Sequence, residues 1–274
     1  MNKKFIFKAM TIWALCVVMS TPVVAATKND NREAVTTATK KSDKLSGKLV
    51  TKKGKTYYVV KGKKVKNKVI AIKKSRYLFD ENGVMVKGWA KYNKHFYFFG
   101  RSNGKQLKNR TIDGIRICKN GRAKITKLNA QKIKTMIRAR KMVDKICKST
   151  DSKEVKLRKC FDWISDIPYK RYRFLNKIYK EKGWESTFAN DIFIKGEGCC
   201  VSQSSALAFM VHECGYKNVY VVHDTGHAWM ELKGRVYDAL FAKAKDYEKY
   251  YNLPYKDYGC HIVDKRKIYK RVSL

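Results

Sequence analysis

Acidic residues are scarce in this sequence. Its 274 residues include 23 Asp and Glu against 62 Lys and Arg, which gives a formal net charge of +39. A charge of this size attracts polyanions such as anionic cell-wall polymers and lipid headgroups. The basic residues are scattered along the chain, and no nucleic-acid-binding motif accompanies them, so we expect no specific nucleic-acid partner. A lysine-rich composition that only keeps the protein soluble is the alternative.

The cysteines lack the spacing of a metal site. Seven of them follow residue 26, and they form no C-x-x-C pair and no Cys/His ligand pattern, which argues against structural zinc. Their irregular spacing is also unlike a small disulfide scaffold, and an odd number leaves at least one thiol unpaired. We therefore expect neither a metal nor another cofactor.

The chain has one apolar run near its start, and this run is short. "AMTIWALCVVM" follows Lys3, Lys4 and Lys8, and "TPVVAA" follows it, which is the pattern of a signal peptide over residues 1–26. Since the run is too short to span a bilayer comfortably, we expect export and no transmembrane anchor after cleavage. Residues 27–50 are polar and predict a flexible linker.

Residues 51–124 repeat an aromatic-rich pattern. "GKTYYVVKGKKVKNKVIAI", "KSRYLFDENGVMVKGWAKY" and "NKHFYFFGRSNGKQLKNRTI" each combine an aromatic strand, a turn with Gly and a second short strand, and a weaker fourth unit, "DGIRICKNGRA", follows. One hairpin cannot bury its own apolar face, so a period near 20 residues predicts a stacked array of β-hairpins.

This array resembles the choline- and glucan-binding type repeats by which Gram-positive surface proteins bind the cell wall, and "YLFDENGVMVKGW" is the best match. In that family, aromatic side chains of adjacent hairpins enclose choline or contact sugars. The resemblance implies Trp89, Tyr97 and Phe99 as ligand-binding residues and a cell-wall polymer, anionic or glycan, as the partner. Stacking of hairpin on hairpin is the alternative role for these three side chains.

From residue 125 the period changes to that of a helix. "NAQKIKTMIRARKMVDKIC" places Ile133, Ile137 and Val143 at helical spacing. "DSKEVKLRKCFDWISDI" begins with an Asp/Ser cap, and Pro168 ends this second helix. Residues 125–274 are long enough to bury one ordinary core, and we assign them to one domain.

Two adjacent cysteines stand at the start of a third predicted helix, "GEGCCVSQSSALAFMVHECG". Cys200 begins its apolar face, and Gly215 ends it. The unpaired N–H groups and the positive dipole end of a helix start favour a thiolate. A packed, inert cysteine is the alternative.

A base and an acid follow on two predicted strands. If Lys233 and Gly234 form a two-residue turn, Leu232 faces Arg235, and His227 lies diagonally across from Asp238 within side-chain reach. The carboxylate would then orient the imidazole, and the imidazole would accept the thiol proton. His223 is the rival base, whereas His212 and His261 are expected to be surface or hydrogen-bonded histidines.

The order of "GCC", "TGHAWMEL" and "GRVYDALF", preceded by "WESTFANDIFIKGEG", resembles the transglutaminase-like superfamily with its papain-like core, over roughly residues 130–245. The resemblance implies an α+β fold with helices packed on an antiparallel sheet. It also implies Cys200 as nucleophile, His227 as base and Asp238 as orienting acid.

Two functions follow from these patterns. The first is a secreted, cell-wall-associated cysteine acyl-transfer enzyme, either a peptidase or amidase or a cross-linking transglutaminase, acting on a protein or on a peptidoglycan peptide. The second is a non-catalytic cell-wall-binding protein or adhesin whose papain-like domain only binds peptide. Replacement of Cys200 by Ser distinguishes them.

Overall fold

The computed structural model describes residues 46–224, 226–258 and 270–274, all of which belong to one compact unit. The predicted signal peptide and most of the predicted linker lie outside these residues. Within the described ranges, no helix is both long enough and apolar enough to cross a membrane.

The first part of the described chain is an array of antiparallel hairpins. The first three strands form one sheet, and the next six form three separate hairpins. The strands are β1 (Lys48–Lys52), β2 (Lys55–Val60), β3 (Lys63–Lys64), β4 (Lys68–Ile72), β5 (Ser75–Phe79), β6 (Gly88–Tyr92), β7 (His95–Phe99), β8 (Arg110–Ile112) and β9 (Ile115–Ile117). Strand β1 begins within the last three residues of the predicted linker.

Each hairpin is tied to the one before it by the segment that follows its second strand. Three backbone hydrogen bonds of 2.8 to 2.9 Å repeat this connection: Met85 N to Thr56 O, Gln106 N to Arg76 O, and Ala123 N to Phe96 O. The turns need a left-handed residue at equivalent places, and Gly62, Gly83 and Gly104 have φ of 76°, 76° and 68° there. The predicted hairpin array is therefore confirmed.

The second part combines helices with an antiparallel sheet of five strands in the order β13-β12-β11-β10-β14. The helices are α1 (Lys127–Ile146), α2 (Lys153–Ser165), α3 (Leu175–Ile178), α4 (Trp184–Asn190), α5 (Cys200–Glu213) and α6 (Ala239–Ala244). The strands are β10 (Val219–His223), β11 (Ala228–Leu232), β12 (Arg235–Tyr237), β13 (Leu253–Pro254) and β14 (Lys270–Ser273). This architecture agrees with the predicted α+β class.

Side chains at the first two helix starts satisfy free backbone N–H groups. Thr126 accepts from Asn129 N at 3.1 Å, and Ser152 accepts from Val155 N at 3.2 Å. Of the predicted Asp/Ser pair, Ser152 is thus the cap of α2, while Asp151 accepts from Lys148 N instead.

Helix α5 is the centre of the second part. It packs against α1, α2, α4 and α6 and against β10 and β11. All fourteen of its residues are buried, so burial extends beyond the apolar face that the sequence predicts to every side of the helix. A helix surrounded by protein has no solvent side to mark with polar residues. Gly215 follows its end with φ of 95°, as a terminating glycine should.

The register of β11 and β12 is the predicted one. Leu232 pairs with Arg235, and Lys233 and Gly234 form the turn with φ of 52° and 72°. Two consecutive positive φ values are those of a type I′ turn, whose twist matches that of the flanking strands. This turn brings the end of β12 beside the start of β11.

A buried polar cluster joins the array to α5. Asp113, in the last hairpin turn, accepts hydrogen bonds from Trp89 Nε1 at 2.7 Å and from Arg101 Nη2 and His212 Nε2, each at 3.0 Å. Arg101 also pairs with Glu213 at 2.9 Å. Since His212 and Glu213 belong to α5, the array is fixed to the central helix by charged hydrogen bonds.

Candidate functional site

The two cysteines lie at the start of α5 because a close-packed backbone turn precedes the helix. Gly198 hydrogen-bonds through its N–H to Pro168 O and through its carbonyl to Lys170 N, each at 3.1 Å. A Cβ at Gly198 would lie 2.5 Å from Ser202 Cβ, so only glycine fits. Cys199 is the residue that caps the helix, and Cys200 is its first residue.

The pKa values of the two adjacent thiols are shifted in opposite directions. A hydrogen bond from the Cys200 thiol, opposed by burial and assisted by Ser202 and Val201, lowers the pKa of the Cys199 thiol to about 6. The same hydrogen bond, burial and the negative charges of Cys199 and Asp238 raise the pKa of Cys200 well above its usual range. The backbone N–H of Val201 lowers the pKa of Cys200, in the predicted direction, but the hydrogen bond to Cys199 and burial outweigh it.

His227 is held beside Asp238 by a stacked aromatic ring and by hydrogen bonds of its ring and backbone. Its Nε2–H donates to Asp238 Oδ2 at 2.7 Å. Its ring stacks on Phe241 with centroids 4.2 Å apart and planes 9° apart, and its backbone N–H donates to Asp224 Oδ1 at 2.6 Å. Because Nε2 faces the carboxylate, Nδ1 is the nitrogen available to a thiol.

Asp238 is itself fixed by three further contacts. Its Oδ1 accepts from Phe241 N at 3.1 Å as the cap of α6, and its backbone N–H donates to Tyr250 O at 3.0 Å. The hydroxyl of Tyr258 donates to the same Oδ2 atom that His227 contacts, at 2.7 Å. The carboxylate is 1% exposed, so these bonds replace its hydration.

Cys200 and His227 face one cleft of about 190 Å³. Both cysteines of the pair line it, together with Arg171, Arg173 and Phe174. No hydrogen bond joins Cys200 to His227 in the described part of the chain, although catalytic hydrogen bonds often tighten only when substrate binds. The structure thus brings Cys200, His227 and Asp238 to one place.

The two arginines of the cleft differ in their partners. Arg173 forms an ion pair with the buried carboxylate of Asp191, which also accepts from Ser202 Oγ at 3.2 Å. Arg171 donates to the hydroxyl of Tyr169 at 2.9 Å and has no carboxylate partner among the described residues. Arg171 therefore leaves positive charge at the mouth of the cleft.

His212 and His223 do not line this cleft. His212 lies in the cluster around Asp113 and is hydrogen-bonded, as predicted. His223, the rival base, is buried at the end of β10, where its Nδ1–H donates to Asp224 O at 3.0 Å and its ring contacts Trp184 edge-on. His261 lies outside the described residues.

The six cysteines in the described ranges are free thiols. Away from the cleft, Cys160 Sγ and Cys214 Sγ lie 3.8 Å apart in the packing of α2 against α5. Cys260 lies outside the described residues.

The aromatic candidates of the array separate into two environments. Trp89 is 3% exposed, packs edge-on against Phe98 and donates its indole N–H to Asp113, so it belongs to the core. Tyr97 and Phe99 line a second cavity of about 460 Å³ between the hairpins. Phe99 is also buried at 1% exposure, whereas Tyr97 is half-buried.

Two residues at or behind the cleft, Tyr258 and Arg171, escape the sequence patterns. Tyr258 reaches Asp238 from a turn 20 residues later in the chain, and no motif marks it. Arg171 enters because the segment after Pro168 pairs with Gly198, which no local pattern indicates. Cys199 is visible in the sequence, and its position immediately before the helix is the signal that identifies it as the cap.

Comparison with known proteins identifies the array only. Residues 65–110, from the end of the first sheet to the start of β8, match the family model of the choline-binding repeat. The match does not include residues 111–274, and the comparison with curated proteins finds no match.

Solved structures similar to this chain include choline-binding proteins of Streptococcus pneumoniae. CbpJ of strain TIGR4 and choline-binding protein F are each 26% identical over 28% of this chain and 26% of their own, with TM-scores of 0.26. The choline-binding domain of Spr1274 is 24% identical over 28% of this chain and 93% of its own, with a TM-score of 0.26. The aligned part thus spans about a quarter of the first two proteins.

Proposed function

We propose that this protein is retained at the cell surface by its hairpin array, which binds a cell-wall polymer. The observation that carries the proposal is the match of residues 65–110 to the choline-binding repeat. The aromatic cavity between the hairpins supplies a place for the ligand. The comparisons support this wall-binding function more directly than the enzymatic one, because they match the array and not the cleft.

Co-sedimentation with purified cell walls tests the binding proposal. The chain is expected to pellet with walls, and Tyr97→Ala is expected to weaken this binding about tenfold, since stacking on an aromatic ring contributes on the order of 1 kcal/mol or more. Tyr169→Ala is the matched control, because Tyr169 is 49% exposed and lies outside the array. Equal retention of the two variants would show that the cavity does not contribute to wall binding. If the wild-type chain is not retained, the proposal is refuted.

A second candidate function is a cysteine acyl-transfer enzyme with a transglutaminase-like core. The observation that favours it is the His227–Asp238 hydrogen bond beside a cleft that Cys200 also lines. The resemblance of the "GCC", "GHAW" and "YD" blocks to that superfamily supports the same roles. The substrate would be a protein or a peptidoglycan peptide, the class of substrate found where the array would hold the chain.

The mechanism follows from these groups. Cys200 Sγ attacks the amide carbonyl carbon while its proton passes to His227, and Asp238 stabilises the imidazolium that results. The C–N bond then breaks as His227 returns the proton to the leaving amine. Water or a second amine attacks the thioester, which releases the acyl product and restores the thiol.

Covalent trapping tests the enzymatic proposal. A peptide electrophile such as a vinyl sulfone is expected to label Cys200 rapidly, and mass spectrometry separates this adduct from labelling of the neighbouring Cys199. His227→Ala should abolish rapid labelling, whereas His212→Ala, a buried histidine remote from the cleft, should retain it. Labelling that is equally fast in the wild-type and His227→Ala chains would contradict the proposed base.

A further inference from the structure

The cavity of about 460 Å³ in the array has a wall of mixed chemistry. Tyr92 and Tyr97 offer aromatic faces, Asn93, Gln106 and Asn120 offer amides, and Arg76 and Arg122 offer guanidinium groups. Its volume is within the range of roughly 300–1,000 Å³ that is usual for ligand pockets. No acidic residue lines it.

The two arginines of this cavity carry uncompensated charge. Both are exposed, and neither pairs with a carboxylate in the described part of the chain. The surrounding array adds to their field, since residues 48–124 contain 23 Lys and Arg but only 3 Asp and Glu. A cavity with this charge attracts anions, and a guanidinium group binds phosphate oxygens in a bidentate manner.

The same charges oppose a quaternary ammonium ligand. Such a cation is bound by aromatic faces in the absence of competing positive charge. Here Trp89 is buried and does not line the cavity. The cavity is lined instead by two guanidinium groups, which would repel the cation that an aromatic cage binds. The positive charge of the two arginines therefore disfavours binding of a cationic ligand.

The remaining wall fits a hydroxyl-rich ligand. Tyrosine rings stack on the apolar faces of sugars and polyols, and amide groups exchange hydrogen bonds with hydroxyls. Gln106 Oε1 is buried without a hydrogen-bond partner among the described residues, so it can accept from a ligand hydroxyl.

We propose that the cavity between the hairpins binds a phosphodiester-linked polyol or sugar segment of the cell wall, with Arg76 and Arg122 on the phosphate and Tyr92 and Tyr97 on the carbon skeleton. The proposal rests on the wall-binding function and specifies its ligand class. It assigns the array an anionic polymer as its ligand in place of choline.

Binding to two wall preparations tests the ligand class. Purified walls are compared with walls from which hydrofluoric acid has removed phosphodiester-linked polymers, and glycerol phosphate oligomers and phosphocholine are used as soluble competitors. The chain is expected to bind untreated walls at least about tenfold more tightly than stripped walls. Glycerol phosphate oligomers should displace it, and phosphocholine at the same phosphate concentration should displace it less.

Matched double variants separate the cavity from general charge. Arg76→Gln/Arg122→Gln should lose about tenfold in affinity for untreated walls. Arg110→Gln/Arg116→Gln, which removes equal charge from array positions outside the cavity, should lose much less. All four side chains are exposed, and circular dichroism checks that both variants fold.

Each failure has a different meaning. Equal binding to treated and untreated walls, or equal losses in the two double variants, would overturn the assigned ligand class while leaving wall binding intact. Absence of binding to untreated walls would refute wall binding itself.

Discussion

Cys199 and Cys200 are adjacent in sequence but have opposite electrostatic surroundings. Cys199 caps the helix and has its pKa lowered to about 6, first by the Cys200 thiol that donates to it. Cys200 faces the same cleft as His227, and its pKa is raised by that hydrogen bond and by burial. The ionisation of one sulfur therefore depends on the protonation state of the other.

Cys199→Ser is expected to lower the pKa of Cys200, because it removes both the acceptor sulfur and its charge. Alkylation by iodoacetamide, mapped by mass spectrometry across pH 5 to 10, measures the change. In the wild-type chain, labelling of Cys199 should rise with a midpoint near pH 6, since its thiolate forms there. In the variant, Cys200 should label several-fold faster at pH 7. A wild-type midpoint near the ordinary thiol value of about 8.5 would contradict this assignment.

Tyr258→Phe is expected to loosen Asp238 and, through it, His227. It removes one hydrogen bond to a buried carboxylate, which should cost about 2 kcal/mol in the free energy of unfolding. It should also shift the pH dependence of Cys200 labelling, a readout that a purely structural role would leave unchanged. Tyr237→Phe removes a hydroxyl contact to Asn252 and serves as control. Identical pH profiles for the two variants would exclude a positioning role for Tyr258.

At the scale of elements, turns and strand register can be predicted from the sequence because neighbouring residues determine them. The Lys233–Gly234 turn sets the β11–β12 register, and the glycines of the array set its hairpins, so both follow from short patterns. The full burial of α5 depends on the elements that surround it, and the residue pattern of the helix itself does not show which elements these are. Tyr258 and Arg171 reach the cleft through chain segments distant in sequence, and such contacts leave no periodic signal.

Asp113→Asn is expected to weaken the junction between the array and α5. Although burial opposes its ionisation, the hydrogen bond from His212 and the charge of Arg101 hold the pKa of Asp113 well below its usual range. The variant leaves Arg101 and Glu213 without their third charged partner, which should lower the free energy of unfolding by about 3 kcal/mol.

Chemical denaturation of Asp113→Asn and Asp144→Asn measures this difference. Asp144 is 56% exposed and pairs with Arg140 on the helix surface, so its loss should cost less than about 0.5 kcal/mol. Because the folded-state pKa of Asp113 is lowered, its contribution is complete above about pH 4 and is lost as the pH falls below that value. If the Asp113→Asn variant lost as much free energy of unfolding at pH 3 as at neutral pH, the loss would not come from the ionised carboxylate of Asp113.

At the scale of the whole molecule, the excess of Lys and Arg and the cavity of the array would make separable contributions to the proposed wall binding. Salt screens the first, since the Debye length falls from about 10 Å at 0.1 M to about 3 Å at 1 M, but it leaves aromatic contacts in place. Wall affinity should therefore fall by about tenfold or more between 0.1 M and 1 M NaCl and then level off. Complete release at moderate salt would show that charge alone holds the chain, and an affinity independent of salt would exclude a role for the arginines.

The array and the cleft lie in one compact unit, so a chain bound to the wall would hold its thiol against wall peptides. Incubation of purified walls with the wild-type chain and with Cys200→Ser tests wall binding and catalysis together. Two quantities are measured: the fraction of protein retained on the walls and the amount of peptide or amine released. We expect equal retention of the two chains and release by the wild type alone. A wild-type chain that remains in solution would contradict the central claim of wall binding, and equal release by both chains would remove Cys200 from the chemistry.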